Sequence, residues 1–162
     1  MQYHNITTDD MLNGEGLRVV LWVAGCSHAC PGCHNPVTWN PDGGLNFDEE
    51  AKKEIFDQLD HSYIHGITYS GGDPLYVGNR KEVTKLAREI HERYPQKTQW
   101  LYTGYAWDEI KGEQVISFLD VVVDGRYEES QRDTLIPWRG SRNQRVIDVQ
   151  RSLKAGETIC RE

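Results

Sequence analysis

Basic residues, long apolar runs and cysteines are all scarce in this chain of 162 residues. Its 18 lysines and arginines are outnumbered by 25 aspartates and glutamates, a net charge of −7 with histidine neutral. That sign argues against nucleic acid as a partner, because gripping a phosphate backbone needs a basic face. The longest apolar run, residues 19–25, falls far short of the ~20 residues that cross a bilayer. Residues 1–10 are polar and lack the charged-then-apolar form of a signal peptide. No membrane partner and a cytoplasmic location are therefore expected. The chain has four cysteines. Disulfides are rare in a reducing compartment, so clustered thiols are expected to bind metal or to react.

What the sequence does contain fits a single domain over residues 1–162. A chain of this size buries roughly 70% of its unfolded surface and can build a core without staples. Five short runs rich in valine, isoleucine and aromatics read as strands: 17–24, 66–70, 99–103, 119–124 and 145–149. Several are continuously apolar, as in strands covered on both faces. Apolar stripes mark helices between them. Ala51, Ile55, Phe56 and Leu59 stripe residues 48–60. Val83, Leu86, Ala87, Ile90 and Tyr94 stripe residues 80–94, where Pro95 stops the helix. A weaker helical stretch, 107–118, is interrupted by Gly112. Alternating strands and helices predict an α/β fold with a mainly parallel sheet and right-handed crossovers. Five strands are too few for a closed eight-stranded barrel, so a partial, open TIM-like barrel or a twisted parallel sheet is expected. Residues 125–141 show no periodicity and read as a long loop, ordered by Ile136 and Trp138.

The chemistry concentrates in Gly25-Cys26-Ser27-His28-Ala29-Cys30-Pro31-Gly32-Cys33-His34. The spacing C-x3-C-x2-C directly follows the first predicted strand, and loops at such strand ends are where α/β active sites collect. Pro31 and Gly32 favour tight turns. Thiolates select iron–sulfur clusters, zinc or copper(I). Four cysteines normally hold a [4Fe–4S] cluster; three leave one iron without a protein ligand, a property of catalytic rather than closed sites. Two other readings stay open on spacing alone. One is zinc held by the three cysteines with His28 or His34. The other is thiol–disulfide chemistry at Cys30-Pro31-Gly32-Cys33.

C-x3-C-x2-C after the first strand resembles the signature of the radical S-adenosylmethionine superfamily. Ser70-Gly71-Gly72-Asp73-Pro74, after the next strand, is similar to that superfamily's Gly-Gly-Glu motif, with aspartate replacing glutamate. Further blocks carry a narrower resemblance. They are Asn13-Gly14-Glu15-Gly16-Leu17-Arg18, Cys33-His34-Asn35-Pro36, Trp100-Leu101-Tyr102-Thr103-Gly104-Tyr105, Asp120-Val121-Val122-Val123-Asp124-Gly125 and the stretch from Trp138 to Arg145. In order and spacing they resemble the glycyl-radical activating family of the anaerobic ribonucleoside-triphosphate reductases, over about residues 2–149.

That resemblance implies a [4Fe–4S] cluster on Cys26, Cys30 and Cys33, with S-adenosylmethionine chelated at the open iron. Reductive cleavage of the sulfonium would give a 5′-deoxyadenosyl radical, which removes a hydrogen atom from a glycine of the reductase's large subunit. Gly71, Gly72 and Asp73 are implied to receive the methionine end; glycine there lets a ligand approach the backbone. Gly32, Cys33 and His34 would define the adenine side, although Gly32 replaces the aromatic often found in the wider superfamily. Thr103 and Gly104 would line the nucleoside pocket. Asp124 would hold a cation near the carboxylate, with a turn before Gly125 as the plainer reading. A flavodoxin-type donor is implied as reductant. The motif core covers about residues 13–125. Residues 126–162 form a loop and C-terminal segment whose arginines, with Trp138, suit a partner-facing surface as well as ordinary solvated surface. Arg18 reads as a surface or partner contact, and Cys160 as a partly exposed thiol away from the motif. Activation of another glycyl-radical protein and a zinc-binding interaction module are the competing readings.

Overall fold

A computed structural model describes residues 1–33 and 36–161. Four strands, β2 (Arg18–Val23), β4 (Gly66–Gly71), β5 (Thr98–Tyr102) and β6 (Val121–Asp124), pair in parallel in that order. Two antiparallel strands, β1 (Gln2–Asp10) and β3 (Leu45–Asn46), extend one edge, and β7 (Arg145–Asp148) extends the other. The resulting seven-stranded sheet is open, running β3-β1-β2-β4-β5-β6-β7. The α/β class and the parallel centre agree with the sequence reading, whereas a TIM-like closure is not present in this strand order.

The helices also follow their stripes. α1 (Glu49–Leu59) buries Ala51, Ile55, Phe56 and Leu59, and its N-cap Asp48 accepts a hydrogen bond from the Ala51 N–H at 2.9 Å. That bond satisfies one of the donors a helix start leaves orphaned. α2 (Arg80–Arg93) buries Val83, Leu86, Ala87 and Ile90. The weak stretch breaks in two: α3 (Trp107–Ile110) and a 3-10 turn over Gln114–Phe118. α4 (Val149–Ala155), absent from the sequence reading, is capped by Asp148 and ended by Gly156 at φ 71°, a left-handed position natural to glycine.

The parallel strands progress across the sheet without reversing, so the helices collect on one face. That face packs Val19, Leu21, Val23, Ile67, Tyr69, Leu101 and Val122 against α1, α2 and α3. The alternate residues of the same strands point the other way, and there Trp100, Val121, Val123 and Val146 form a smaller cluster with Tyr102 and Trp138. Trp138 meets Trp100 edge-on at 5.1 Å. The long loop is therefore the second cover of the sheet, which explains why the strands read as continuously apolar.

One strand escaped the sequence reading, and one expectation needs correction. The polar segment at the N-terminus is a strand, because β2 supplies its hydrogen bonds while only Ile6 of its residues is buried. No apolar alternation announces such a strand. Arg18 is not on the surface: it is 0% exposed. Its guanidinium donates to Thr68 Oγ1, Thr98 Oγ1 and the carbonyls of Glu15, Ile67 and Thr98 at 2.8–2.9 Å. Its centre sits 5.5 Å from the Trp100 ring. Burial pushes its pKa down to about 10. Among the described residues, no helix is long and apolar enough to cross a membrane.

Candidate metal centre

The ends of β2, β4, β5 and β6 converge because parallel strands all present the same end. A cavity of about 330 Å³ opens there, bordered by Cys26, Cys30 and Cys33 together with Gly71, Gly72, Thr103 and Gly104. That volume lies at the small end of ligand pockets. The cysteine loop is tied down from beneath. Gly25 N–H donates to the Thr38 carbonyl at 2.6 Å, and Cys26 N–H to that of Trp39 at 3.1 Å. Gly72 N–H donates to the Val23 carbonyl at 2.8 Å, and Asp73 N–H to that of Gly25 at 2.7 Å. Within the loop, Cys33 N–H closes a turn on the Cys30 carbonyl at 3.1 Å, with Gly32 at φ 74°.

The glycines at the end of β4 and just after it are demanded by contact. A Cβ on Gly71 would lie 2.5 Å from the Val23 nitrogen, and one on Gly72 would lie 2.6 Å from the Gly25 carbonyl oxygen. These two residues bring the floor of the cavity against the backbone of β2 and the start of the cysteine loop.

Three donors of one soft type around a cavity suit an iron–sulfur cluster. Among the described residues, no three His, Cys, Asp or Glu side chains converge closely enough to hold a single ion. The three cysteines of one loop border the cavity together, which is the donor set a cluster of several irons would need. Burial pushes the Cys26 and Cys30 thiols up, and the Asp73 carboxylate adds to the effect at Cys26. Without a cation these sulfurs favour protons, so loading the site releases them.

The remaining predicted residues divide. Gly71, Gly72, Thr103 and Gly104 border the cavity with the cysteines. Gly32 does not; a Cβ there would strike Glu129, because the 3-10 turn over Glu129–Gln131 presses on this side of the loop. His34 lies outside the described residues. Asp73 does not itself border the cavity but sits behind three residues that do, His28, Thr103 and Gly104. It is 1% exposed and accepts from His28 Nε2 (2.6 Å), Thr103 Oγ1 (3.0 Å to each oxygen), Gly104 N–H (2.9 Å) and Leu75 N–H (2.9 Å). A carboxylate has about four acceptor positions, and these four donors occupy them.

Asp124 is likewise committed elsewhere. It accepts from Arg145 at 2.7 Å and from the Trp107 N–H at 2.8 Å, joining β7 and α3 to β6. Arg145 is 42% exposed, so solvent screens the pair. Asp124→Asn is expected to lower unfolding free energy by only about 1 kcal/mol, with iron loading unchanged. A urea midpoint and an iron assay check both parts. Cys160 is exposed, as the sequence suggested, and its backbone forms an isolated bridge to Ile147 on β7.

Sequence reasoning assigned no definite role to His28, Asn13, Tyr102, Tyr127 or Gln144, all of which border the cavity. Asn13, Tyr102 and Gln144 fall inside the motif blocks, which was the available signal. His28 was signalled by its place between two cysteines.

The fold and the thiol-lined cavity define an iron–sulfur α/β protein, and a family model described as a 4Fe-4S single cluster domain matches residues 12–147. Curated relatives share most of their length with this chain. The anaerobic ribonucleoside-triphosphate reductase-activating protein of Enterobacteria phage T4 is 44% identical over 90% of this chain and 93% of its own. The proteins of the same name from Salmonella typhimurium and Escherichia coli K12 are 41% and 39% identical, each over 90% of this chain and 97% of their own. The chain belongs to the family of anaerobic ribonucleoside-triphosphate reductase-activating proteins.

Proposed function

We propose that this chain activates an anaerobic ribonucleoside-triphosphate reductase by installing a glycyl radical on its large subunit. The observation that carries the reading is the set of three cysteines from one loop, bordering a cavity at the ends of four parallel strands. The relatives' name supports the choice of target. Cys26, Cys30 and Cys33 would hold a [4Fe–4S] cluster and leave one iron for S-adenosylmethionine. When bound, the group supplies one low-potential electron, which cleaves S-adenosylmethionine reductively and yields the radical that takes a hydrogen atom from glycine. Gly71 and Gly72 would let the methionine end lie along the backbone. Thr103 and Gly104 would border the nucleoside, and the walls would keep water from the radical. An open half-barrel wrap of the sheet, a flavodoxin-type reductant and a cytoplasmic setting complete the reading.

The partner face belongs beside this cavity. A second cleft of about 460 Å³ shares Asn13, Tyr102 and Gly140 with it. Leu12, 82% exposed, and Leu135, 92% exposed, flank that cleft. A glycine can react only if its segment reaches within ~3–3.5 Å of the reacting carbon, so the reductase must cover the cavity mouth. Leu12→Asp combined with Leu135→Asp is expected to weaken reductase binding about tenfold while iron content stays unchanged. Titration calorimetry with the reductase measures this.

Anaerobically reconstituted protein, mixed with reductase, S-adenosylmethionine and a low-potential reductant, should give 5′-deoxyadenosine, methionine and a glycyl radical signal. About one zinc per chain with no iron or sulfide would end the proposal.

A further inference from the structure

We propose that His28 and Asp73 act as one positioning unit that holds the cysteine loop in the geometry needed to carry its cluster. The inference rests on the cluster reading above. It assigns Asp73, the acidic end of the Gly-Gly-Asp motif, to the protein's own loop rather than to S-adenosylmethionine.

His28 is the middle of the five-residue span from Cys26 to Cys30, so whatever fixes its ring fixes the spacing of two thiols. Its side chain is 3% exposed and its Nε2 lies 2.6 Å from Asp73 Oδ2. A carboxylate accepts only, so Nε2 carries the proton in this bond. The ring also meets Tyr105 edge-on at 4.6 Å. Asp73 in turn is locked by donors from β5's end, Thr103 Oγ1 and Gly104 N–H, and by Leu75 N–H. The chain of contacts therefore runs from the cysteine loop through one buried carboxylate to the ends of β4 and β5. Because every Asp73 acceptor position is taken, the loop cannot slide without stranding a buried charge, which is costly.

Ala29 strengthens the case. It follows His28 directly and holds φ 49°, a left-handed conformation that a residue with a Cβ adopts only when its surroundings impose it. The tether at His28 supplies that constraint. Gly104 shows how closely the ring is packed. A Cβ there would lie 2.5 Å from His28 Cδ2 and 2.8 Å from Nε2. Glycine at 104 is thus a space kept for the imidazole.

The test compares iron retention with ligand affinity in anaerobically reconstituted full-length protein. His28→Leu, Asp73→Asn and the double variant are assayed for iron loss to a chelator and for the reduced cluster's electron paramagnetic resonance spectrum. Binding of S-adenosylmethionine is measured in parallel. Outer partners of metal ligands typically contribute 10–100-fold, so each single variant should lose iron about 10–100 times faster. The double variant should be no worse than the poorer single, the non-additivity of two groups acting as one. His28→Gln, whose amide nitrogen can replace Nε2, should retain iron nearly as wild type. Gly104→Ala should mimic His28→Leu by displacing the ring, without altering either charge. Melting of the iron-free chains identifies any variant that fails to fold; Gly104→Ala against His28→Gln then decides.

Multiplying effects in the double variant would overturn the proposal. So would an Asp73→Asn protein that keeps its iron but binds S-adenosylmethionine poorly, since the carboxylate would then be a ligand contact. A wild-type chain that takes up no iron would instead defeat the cluster reading itself.

Discussion

Cys30→Ala is expected to leave a folded chain with no stable cluster and no detectable activation of the reductase. The residue lies outside both apolar clusters, on a loop whose backbone is held by hydrogen bonds from Gly25, Cys26 and Cys33. Its removal therefore costs little folding energy. On the proposed ligation it removes one of three thiolates, and two would not fix a cluster whose remaining iron is open. Changes to outer partners already weaken metal sites 10–100-fold, so loss of a direct ligand should exceed ~100-fold in glycyl radical yield. The same holds for Cys26 and Cys33. Cys160→Ala is the control, because that residue is exposed, pairs with Ile147 and does not border the cavity. Iron and sulfide analysis with far-ultraviolet circular dichroism separates ligand loss from unfolding. Wild-type iron content in Cys30→Ala would refute the ligand assignment, and loss of iron in Cys160→Ala would mean the site is not three-cysteine.

The second large effect concerns stability rather than chemistry. Arg18→Leu removes a buried guanidinium that serves five acceptors across β2, β4 and β5. Leucine fills much of the space but gives no hydrogen. The carbonyls of Ile67 and Thr98 would then sit buried with one bond fewer, and unsatisfied groups cost ~1–3 kcal/mol each. A total loss of about 3–5 kcal/mol is expected, of the order seen when one partner of a buried polar pair is removed. Against a usual domain stability of about 5–15 kcal/mol, the variant would be barely folded at 37 °C. Arg18→Lys should recover only part, because a lysine cannot reproduce the planar fork. Urea unfolding with an unchanged slope reads the difference directly. A midpoint shift equivalent to less than ~1 kcal/mol would show that the carbonyls find other partners.

Arg18 and Asp73 illustrate the same limit of sequence reading. Both looked like groups directed outward, one to a partner and one to a ligand. Both are hydrogen-bonded to residues 30–80 positions away in the chain, Arg18 to Thr98 and Asp73 to Thr103. A single sequence carries no record of such pairings. β1 was illegible for a related cause: its regularity comes from β2, not from its own alternation.

β7 was legible as a strand but not in its direction. It returns antiparallel to β6 through the long loop, with no crossover helix between them. Antiparallel neighbours need no such helix. Helices α1 and α2, by contrast, were readable nearly to the residue, since periodic apolar stripes and their stop signals are local properties.

Covalent order alone determined that three thiols follow a parallel strand, that two glycines end the next one, and that strands and helices alternate. Those facts follow from nearest-neighbour chemistry and periodicity. Tertiary structure decided which polar groups face the cavity and which are spent holding it. Asp73 went to His28, Asp124 to Arg145, and Arg18 to the sheet interior. The reason is burial: a charged group removed from water must find its partners wherever the chain brings them, and only folding fixes where that is.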